Sequence, residues 1–371
     1  MEPEEGTPNR LGLVPADPPV TVAWVAGKDT IDNLGYLLSS LAVGLVDSFI
    51  KLVLVCPASA DIADLPCPPI EVVGYPSYTW PFRENVIRGL TKNPALAKAQ
   101  LMHGLDESAV DLTRHLAGAS SLAYVVSSYG LLPSRMRRFR RDMAGILAPS
   151  ERVQLQLIKG RLASPEKVHL VPPGVHPAKR AICFRNPRHS VAIVFHGQLR
   201  NWRRLSALTE CFAQLKQQGY DCVFMIIGSG RMESRFRKEV AALGLQQEVT
   251  FAGMPTSVQL AAIMKAADIF VSFAPGRQIG LASLVAMSSG VPSLVAGNAD
   301  DFVIDGKTAI SFDATSSSQL TEKLTVLLDN REKARALAKN ALEYIKERHG
   351  PADIAQSVAG IYRNVIGSPK S

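Results

Sequence analysis

Residues 266–309 read AADIFVSFAPGRQIGLASLVAMSSGVPSLVAGNADDFVIDGKTA. Ile269, Phe270, Val271 and Phe273 form a short apolar run that stops at Pro275 and Gly276, the pattern of a buried strand. After a loop, a helix is expected from about Gly280 to Ser289, with Leu281, Leu284, Val285 and Met287 on its apolar side. Gly290 stands where a glycine just past a helix end is expected, and Val291–Ala296 reads as the next strand. A loop therefore feeds a helix N-terminus inside an α/β unit. The unpaired N–H groups and positive dipole end of such a helix suit a phosphate. Gly280, Leu281 and Ala282 would act through their backbone amides, with Ser283 beside them, although an ordinary helix start has the same pattern.

The same alternation runs through the chain and argues for parallel sheets. In the first half, strands are expected at Val20–Ala26, Lys51–Cys56, Ile70–Val73, Ala99–Met102, Leu122–Ser127, Gly145–Ala148 and Val168–Val171. A loop at Gly27–Asn33 is expected to lead into a helix near Leu34–Val46. A second series begins at Val191–Phe195 and continues through Cys222–Ile227, Val249–Phe251 and Ile269–Phe273 to Ser293–Ala296. The expected division is a loose arm at 1–19, a first α/β domain at 20–175, a linker at 176–190, a second α/β domain at 191–350 and a closing helix within 351–371.

Residues 266–309 resemble the donor-binding element of family-4 glycosyltransferases, also called glycosyl transferases group 1. The phrases AADIFV, LVAM, SGVPSLVA and FVIDGKTA, with Gly280 between them, fall at the spacing of that family. The resemblance implies the GT-B fold, two Rossmann-like domains facing a cleft, and transfer of a sugar from a nucleotide-sugar. It also implies two glutamates eight residues apart, one facing the donor sugar and one the ribose. Here those positions hold Arg277 and Val285, and no Asp or Glu lies between Asp268 and Asp300. Fold and function must therefore be argued separately. The closing helix, by the same resemblance, crosses back onto the first domain.

Further candidates follow from matching phrases. In FHGQLRNWRR (195–204), Gly197 and Leu199 match; Gln198 replaces one diphosphate-gripping cation and Arg203 takes the place of the other. Arginine can hold a phosphate bidentately, but Trp202, Arg203 and Arg204 can equally begin a solvated helix. Gly228 and Gly230 form a Gly-x-Gly turn after a strand, which lets backbone approach a ligand. It is not the full dinucleotide fingerprint, so NAD binding is not expected. On the acceptor side, the family's glycine loop falls on 32–37, where Gly35 stays free to bring backbone near a ligand. Tyr129 replaces the histidine of a later loop, and His103 in LMHG sits where the family often writes histidine. His103 and Tyr129 are the catalytic candidates, His103 against the plain reading of a structural strand-end histidine. An arginine at 277 calls for an anionic partner unless it points to solvent.

The 371 residues allow two cores, and 47% hydrophobic content with mean hydropathy +0.08 is that of a globular chain. No run of about 18 apolar residues exists, so no membrane span is expected. The start lacks a basic region followed by an apolar one and does not read as a signal peptide. The five cysteines, Cys56, Cys67, Cys183, Cys211 and Cys222, have no metal spacing and fit a reducing cytoplasm. Net charge is +8 with no nucleic-acid motif. SRMRRFRRDM (134–143) carries five arginines around a Met136/Phe139/Met143 stripe; Arg135–Arg141 is either a contact for anionic membrane lipid or a solvated helix face.

The functional expectation is a glycosyltransferase using a UDP- or GDP-sugar and a saccharide or lipid-linked acceptor, in polysaccharide or glycoconjugate synthesis. It would be cytoplasmic, peripheral at the inner face of the membrane if the arginine helix binds lipid, and need no metal or cofactor. The alternative is a catalytically degenerate homologue that acts as a binding or partner subunit.

Overall fold

The computed structural model describes residues 19–62, 65, 70–76, 78–79, 81–128, 142–186, 189–273, 280–297 and 300–368. The first domain contains β1 (Val20–Val25), α1 (Lys28–Asp47), β2 (Ile50–Pro57), β3 (Ile70–Tyr75), α2 (Arg83–Thr91), β4 (Leu101–Gly104), α3 (Val110–Ala119), β5 (Ala123–Ser127), β6 (Gly145–Ala148), α4 (Glu151–Lys159) and β7 (Val168–Leu170). The second contains β8 (Val191–His196), α5 (Trp202–Gln217), β9 (Cys222–Ile227), α6 (Glu233–Ala242), β10 (Val249–Gly253), α7 (Ser257–Ala266), β11 (Ile269–Phe273), α8 (Leu281–Ser288), β12 (Ser293–Ala296), β13 (Ile310–Phe312), α9 (Ser317–Asp329) and α10 (Arg331–Arg348). The last helix is α11 (Pro351–Gly367).

Both sheets are parallel. The seven-stranded sheet has the order β3-β2-β1-β4-β5-β6-β7 and the six-stranded sheet the order β10-β9-β8-β11-β12-β13. In each, the strand order reverses beside the first strand, between β1 and β4 and between β8 and β11. A crevice opens there at the carboxyl ends of the strands, and ligands of open α/β sheets bind in it. Central strands read as unbroken apolar runs because helices cover both faces; all five residues of β11, Ser272 included, are buried.

One expectation is corrected at the start of α1. The loop expected at Gly27–Asn33 is helical from Lys28 onward, so Gly35 lies inside α1 and is not part of a ligand loop. Residues 28–34 contain no proline or glycine, Asp29 lies in the first turn at the positive end of the dipole, and Lys28 Nζ pairs with Asp32 Oδ2 at 2.9 Å. The helix therefore nucleates one to two turns earlier than the apolar period indicates. A short strand, β13, also follows the 266–309 unit and completes the second sheet.

The domains are joined twice. Residues 176–190 have no regular secondary structure where described, and Cys183 and Phe184 within them are buried in the second core. Phe184 N–H donates to Asp268 Oδ1 at 2.5 Å, which fixes this segment against the strand-start aspartate. The return crossing lies beside the first: Val175 N–H donates to the carbonyl of His349 at 3.0 Å, and His349 Nδ1 lies 2.9 Å from the Pro173 carbonyl. α11 then packs along α1. Ile354, Ala355, Val358, Ala359, Ile361 and Tyr362 form its buried face. The two helices meet closely at Gly44, where a Cβ would sit 2.5 Å from the Ala355 methyl. Arg363 Nη2 donates to the Ser48 carbonyl at 2.7 Å. The apolar core under α1 and α11 also takes in Leu284, Met287, Phe302 and Ile345, so one core spans both domains.

Candidate functional site

At the crevice of the second domain, β8 ends in His196-Gly197 and α8 begins after Gly280. Gly280 N–H, the amide that opens α8, donates to Asp300 Oδ2 at 2.8 Å. The Asp300 side chain is only 3% exposed. Its other oxygen, Oδ1, has no hydrogen bond and faces Arg152 Nη2 of α4 at 3.7 Å. Burial pushes the Asp300 carboxyl up to about 6, against the opposing pull of the Gly280 amide and Arg152. Ser283 is 1% exposed and its Oγ has no hydrogen-bond partner. Leu281, Ala282 and Ser283 lie in the first turn of α8, where amides have no carbonyl within the helix. The four residues expected at an anion site are thus together, and a carboxylate of the protein itself is seated on the first of them. Asp301, the next residue, caps the first domain: its Oδ2 accepts from Glu151 N–H at 2.5 Å.

Gly197, Gly228 and Gly230 also meet in this crevice. Gly197 N–H donates to the Ile227 carbonyl at 3.1 Å and Leu199 N–H to the Ser229 carbonyl at 3.0 Å, so the turns after β8 and β9 are stitched backbone to backbone. Gly228 and Gly230 have φ of 155° and 157°, and a Cβ on either would overlap the carbonyl oxygen of Gly197 or Leu199. The chain therefore needs both glycines irrespective of any ligand. Arg203 is exposed in the first turn of α5. With Arg204 it lies near Asp313, whose carboxyl is held below the usual range first by Thr315 hydrogen bonds and then by these two cations. On the rim, the Arg235 guanidinium lies 3.8 Å from the Trp202 ring centre.

On the first domain, His103 is completely buried in β4. Its Nδ1 lies 2.5 Å from Tyr362 Oη and its Nε2 2.9 Å from Ser127 Oγ. Burial pushes its pKa down to about 3, so the ring is neutral at pH 7. Neither nitrogen is open to a ligand in this arrangement. Arg277, Tyr129 and the basic stretch Arg135–Arg141 lie outside the described residues.

Asp106, Glu107 and His196 add titratable groups at the two crevices. Asp106 and Glu107 follow β4 at the crevice of the first domain. Asp106 accepts from Ser108 Oγ at 2.7 Å and Ala109 N–H at 2.9 Å and is bonded to Thr30. Burial, and then the neighbouring Asp106, push Glu107 up to about 7. His196 at the end of β8 is pushed down to about 4 by burial. The dipeptide after LMHG-Leu and the histidine before Gly197 were the available signals. Asp300 and Arg152 had none, because they are far apart in sequence and in different domains. Among the described residues no group of three His, Cys, Asp or Glu is placed to hold a metal ion. No described helix is long and apolar enough to cross a membrane.

Residues 185–344 match the family model of glycosyl transferases group 1. The fold is GT-B. Across 93% of this chain and 100% of the other, it superimposes on Anabaena HepE in complex with UDP and glucose with TM-score 0.75 at 14% identity. A sucrose-phosphate synthase from Thermosynechococcus elongatus gives TM-score 0.71 at 15% identity, over 94% of this chain and 100% of that one. Among curated proteins, the uncharacterized glycosyltransferase YqgM of Bacillus subtilis is 28% identical over 44% of this chain and 46% of its own length. The D-inositol 3-phosphate glycosyltransferase of Corynebacterium glutamicum is 24% identical over 61% of this chain and 59% of its own length. The chain thus spans about half the length of the curated relatives it matches. Asp300 thus lies between the α8 amide end of the second domain and Arg152 of α4 in the first.

Proposed function

We propose that this chain transfers a sugar from a UDP- or GDP-sugar to a saccharide or lipid-linked acceptor. The observation that carries the reading is the amide end of α8 at the β8/β11 crevice, within the segment that matches group 1 glycosyltransferases. The donor diphosphate would lie on the amides of Leu281, Ala282 and Ser283 and, once Asp300 yields, of Gly280. Preorganised N–H groups there would stabilise the charge that grows on the departing diphosphate. Arg203 would supply a cation from α5, and no metal enters the scheme. Arg277 and Tyr129 are assigned on sequence grounds to the donor-sugar and acceptor sides. His103 would act by fixing the strand end through Ser127 and Tyr362 rather than by touching the sugar. Relatives named for inositol phosphate and for diacylglycerol glucosides support acceptors that are cyclitols or lipids.

A second reading, a homologue that binds but does not transfer, is favoured by one observation: the Asp300 carboxylate already occupies the Gly280 amide. Calorimetric titration with UDP, GDP and ADP separates the two. One nucleotide diphosphate is expected to bind at micromolar to submillimolar concentration. Gly280→Asp, which puts a second carboxylate where a Cβ already meets Asp300 Oδ2 at 2.8 Å, is expected to weaken it at least ~10-fold. Equal affinity in the variant, or no binding at millimolar nucleotide, removes the donor reading.

A further inference from the structure

Four buried polar atoms without hydrogen bonds belong to residues grouped around Gly280 and Asp300: Arg152 faces Asp300 at 3.7 Å, and Ser283 Oγ and Asp300 Oδ2 would lie 3.5 and 2.8 Å from a Cβ on Gly280. Arg152 Nε and Nη2 are buried without an acceptor, Asp300 Oδ1 without a donor, and Ser283 Oγ without either. They come from three separate segments: α4, the β12–β13 connection and the first turn of α8. Buried polar groups are rarely left unpaired, and a cluster of them needs an explanation. The Arg152–Asp300 approach of 3.7 Å is an ion pair without a hydrogen bond, although guanidinium and carboxylate normally meet at shorter distance and in parallel. Asp300 spends one oxygen on the Gly280 amide. It is too small to satisfy Arg152 and Ser283 as well. A larger anion with more oxygens would engage all of them.

We propose that Asp300 is an internal stand-in for a diphosphate, and that Arg152 passes from Asp300 to the diphosphate when the ligand takes the Gly280 amide. The inference rests on the donor reading above and adds a ligand contributed by the opposite domain. Asp300 and the diphosphate compete for one N–H, so apparent affinity is reduced by the fraction of chains in which Asp300 holds it. Arg152 stabilises whichever anion is present, carboxylate or phosphate. It thus keeps the crevice from holding an unpaired buried charge in either state. Asp301, capping Glu151 N–H, holds α4 close enough for this handover. The charged groups around Asp300 are Arg152 from α4 and Asp301 beside it in the chain.

The test titrates inorganic pyrophosphate and, separately, UDP into wild type, Asp300→Ala, Asp300→Asn and the double variant Asp300→Ala/Arg152→Gln. Pyrophosphate is expected to bind Asp300→Ala about 10-fold more tightly than wild type, the scale of one charge-assisted hydrogen bond. Asp300→Asn, which keeps the shape of the side chain, is expected to fall between them and guards against misfolding of the alanine variant. Adding Arg152→Gln to Asp300→Ala is expected to lose about 10-fold again. Pyrophosphate affinity that is unchanged or lower in both single variants overturns the proposal, as does a double variant that binds like Asp300→Ala. If pyrophosphate responds as expected but UDP binds no better than pyrophosphate, the nucleotide reading fails and the handover stands. If UDP binds all four chains equally, the nucleotide reading stands and the handover fails.

Discussion

Tyr362→Phe is expected to lower unfolding stability by about 2–4 kcal/mol, although it deletes a single oxygen. That oxygen joins two partners. Trp24 Nε1 donates to Tyr362 Oη at 3.0 Å, and His103 Nδ1 lies 2.5 Å from the same atom. Trp24, His103 and Tyr362 are all essentially unexposed, at 1%, 0% and 0%. Without the hydroxyl, two ring nitrogens sealed from bulk solvent lose a partner, at roughly 1–3 kcal/mol each and with partial relaxation. The chain continues from His103 to Ser127, so α11 is fastened to β1, β4 and β5 by one buried polar thread. Urea unfolding of wild type and variant measures the effect, and a difference under about 0.5 kcal/mol would show that the thread is not holding α11. The thread also sets a pH response. His103 takes up a proton near pH 6.5 when unfolded but only near 3 when folded. Its contribution to stability is therefore complete above pH 6.5 and is lost as pH falls from 6.5 towards 3, reaching about 3 kcal/mol by pH 4. In acid His103 would have to charge inside an apolar core or release Tyr362, so acid unfolding should expose α11 early in hydrogen exchange.

Gly228→Ala is expected to cost about 3 kcal/mol or more and to collapse the crevice of the second domain. Its φ of 155° lies in the region that side chains avoid, and the new Cβ would overlap the carbonyl oxygen of Gly197. The obstacle is backbone against backbone, so no side-chain rotation relieves it. Relief would require the turns after β8 and β9 to part, breaking Gly197 N–H to Ile227 and Leu199 N–H to Ser229. Gly219→Ala, at φ of 84° but with open space around it, serves as the comparison and is expected to cost only about 1 kcal/mol. Thermal unfolding of both variants checks this. If Gly228→Ala melts within a degree or two of Gly219→Ala, the close approach of the two turns does not govern the site.

The parallel α/β architecture was legible in the residues, and the resemblance to group 1 glycosyltransferases added the two-domain GT-B arrangement. Period and punctuation in 266–309 are local properties: an apolar run ended by proline and glycine, a helical stripe ended by Gly290, and a second run. Repeated along the chain, they require parallel α/β sheets, and strand sequence plus crossover rules leave few orders for such sheets. The same local chemistry marked Gly280–Ser283 as an amide end and the Gly228/Gly230 turn as a close approach. It misplaced the start of α1, because a Lys28–Asp32 pair and an acidic first turn extend a helix beyond its apolar stripe.

The contacts made at those positions depend on segments that meet only on folding. His103 lies in a phrase that left a catalytic and a structural histidine both open, and α11 returns to place Tyr362, 259 residues further on, against it. Gly280 reads as an open amide, but Asp300, 20 residues later, covers it, and Arg152 arrives from the other domain. Hydrogen bonding and charge pairing act over a few ångströms in space and carry no signature in sequence separation. The amide end at Gly280 was therefore visible in the residues, and the protein's own carboxylate bonded to it became visible only once the chain was folded.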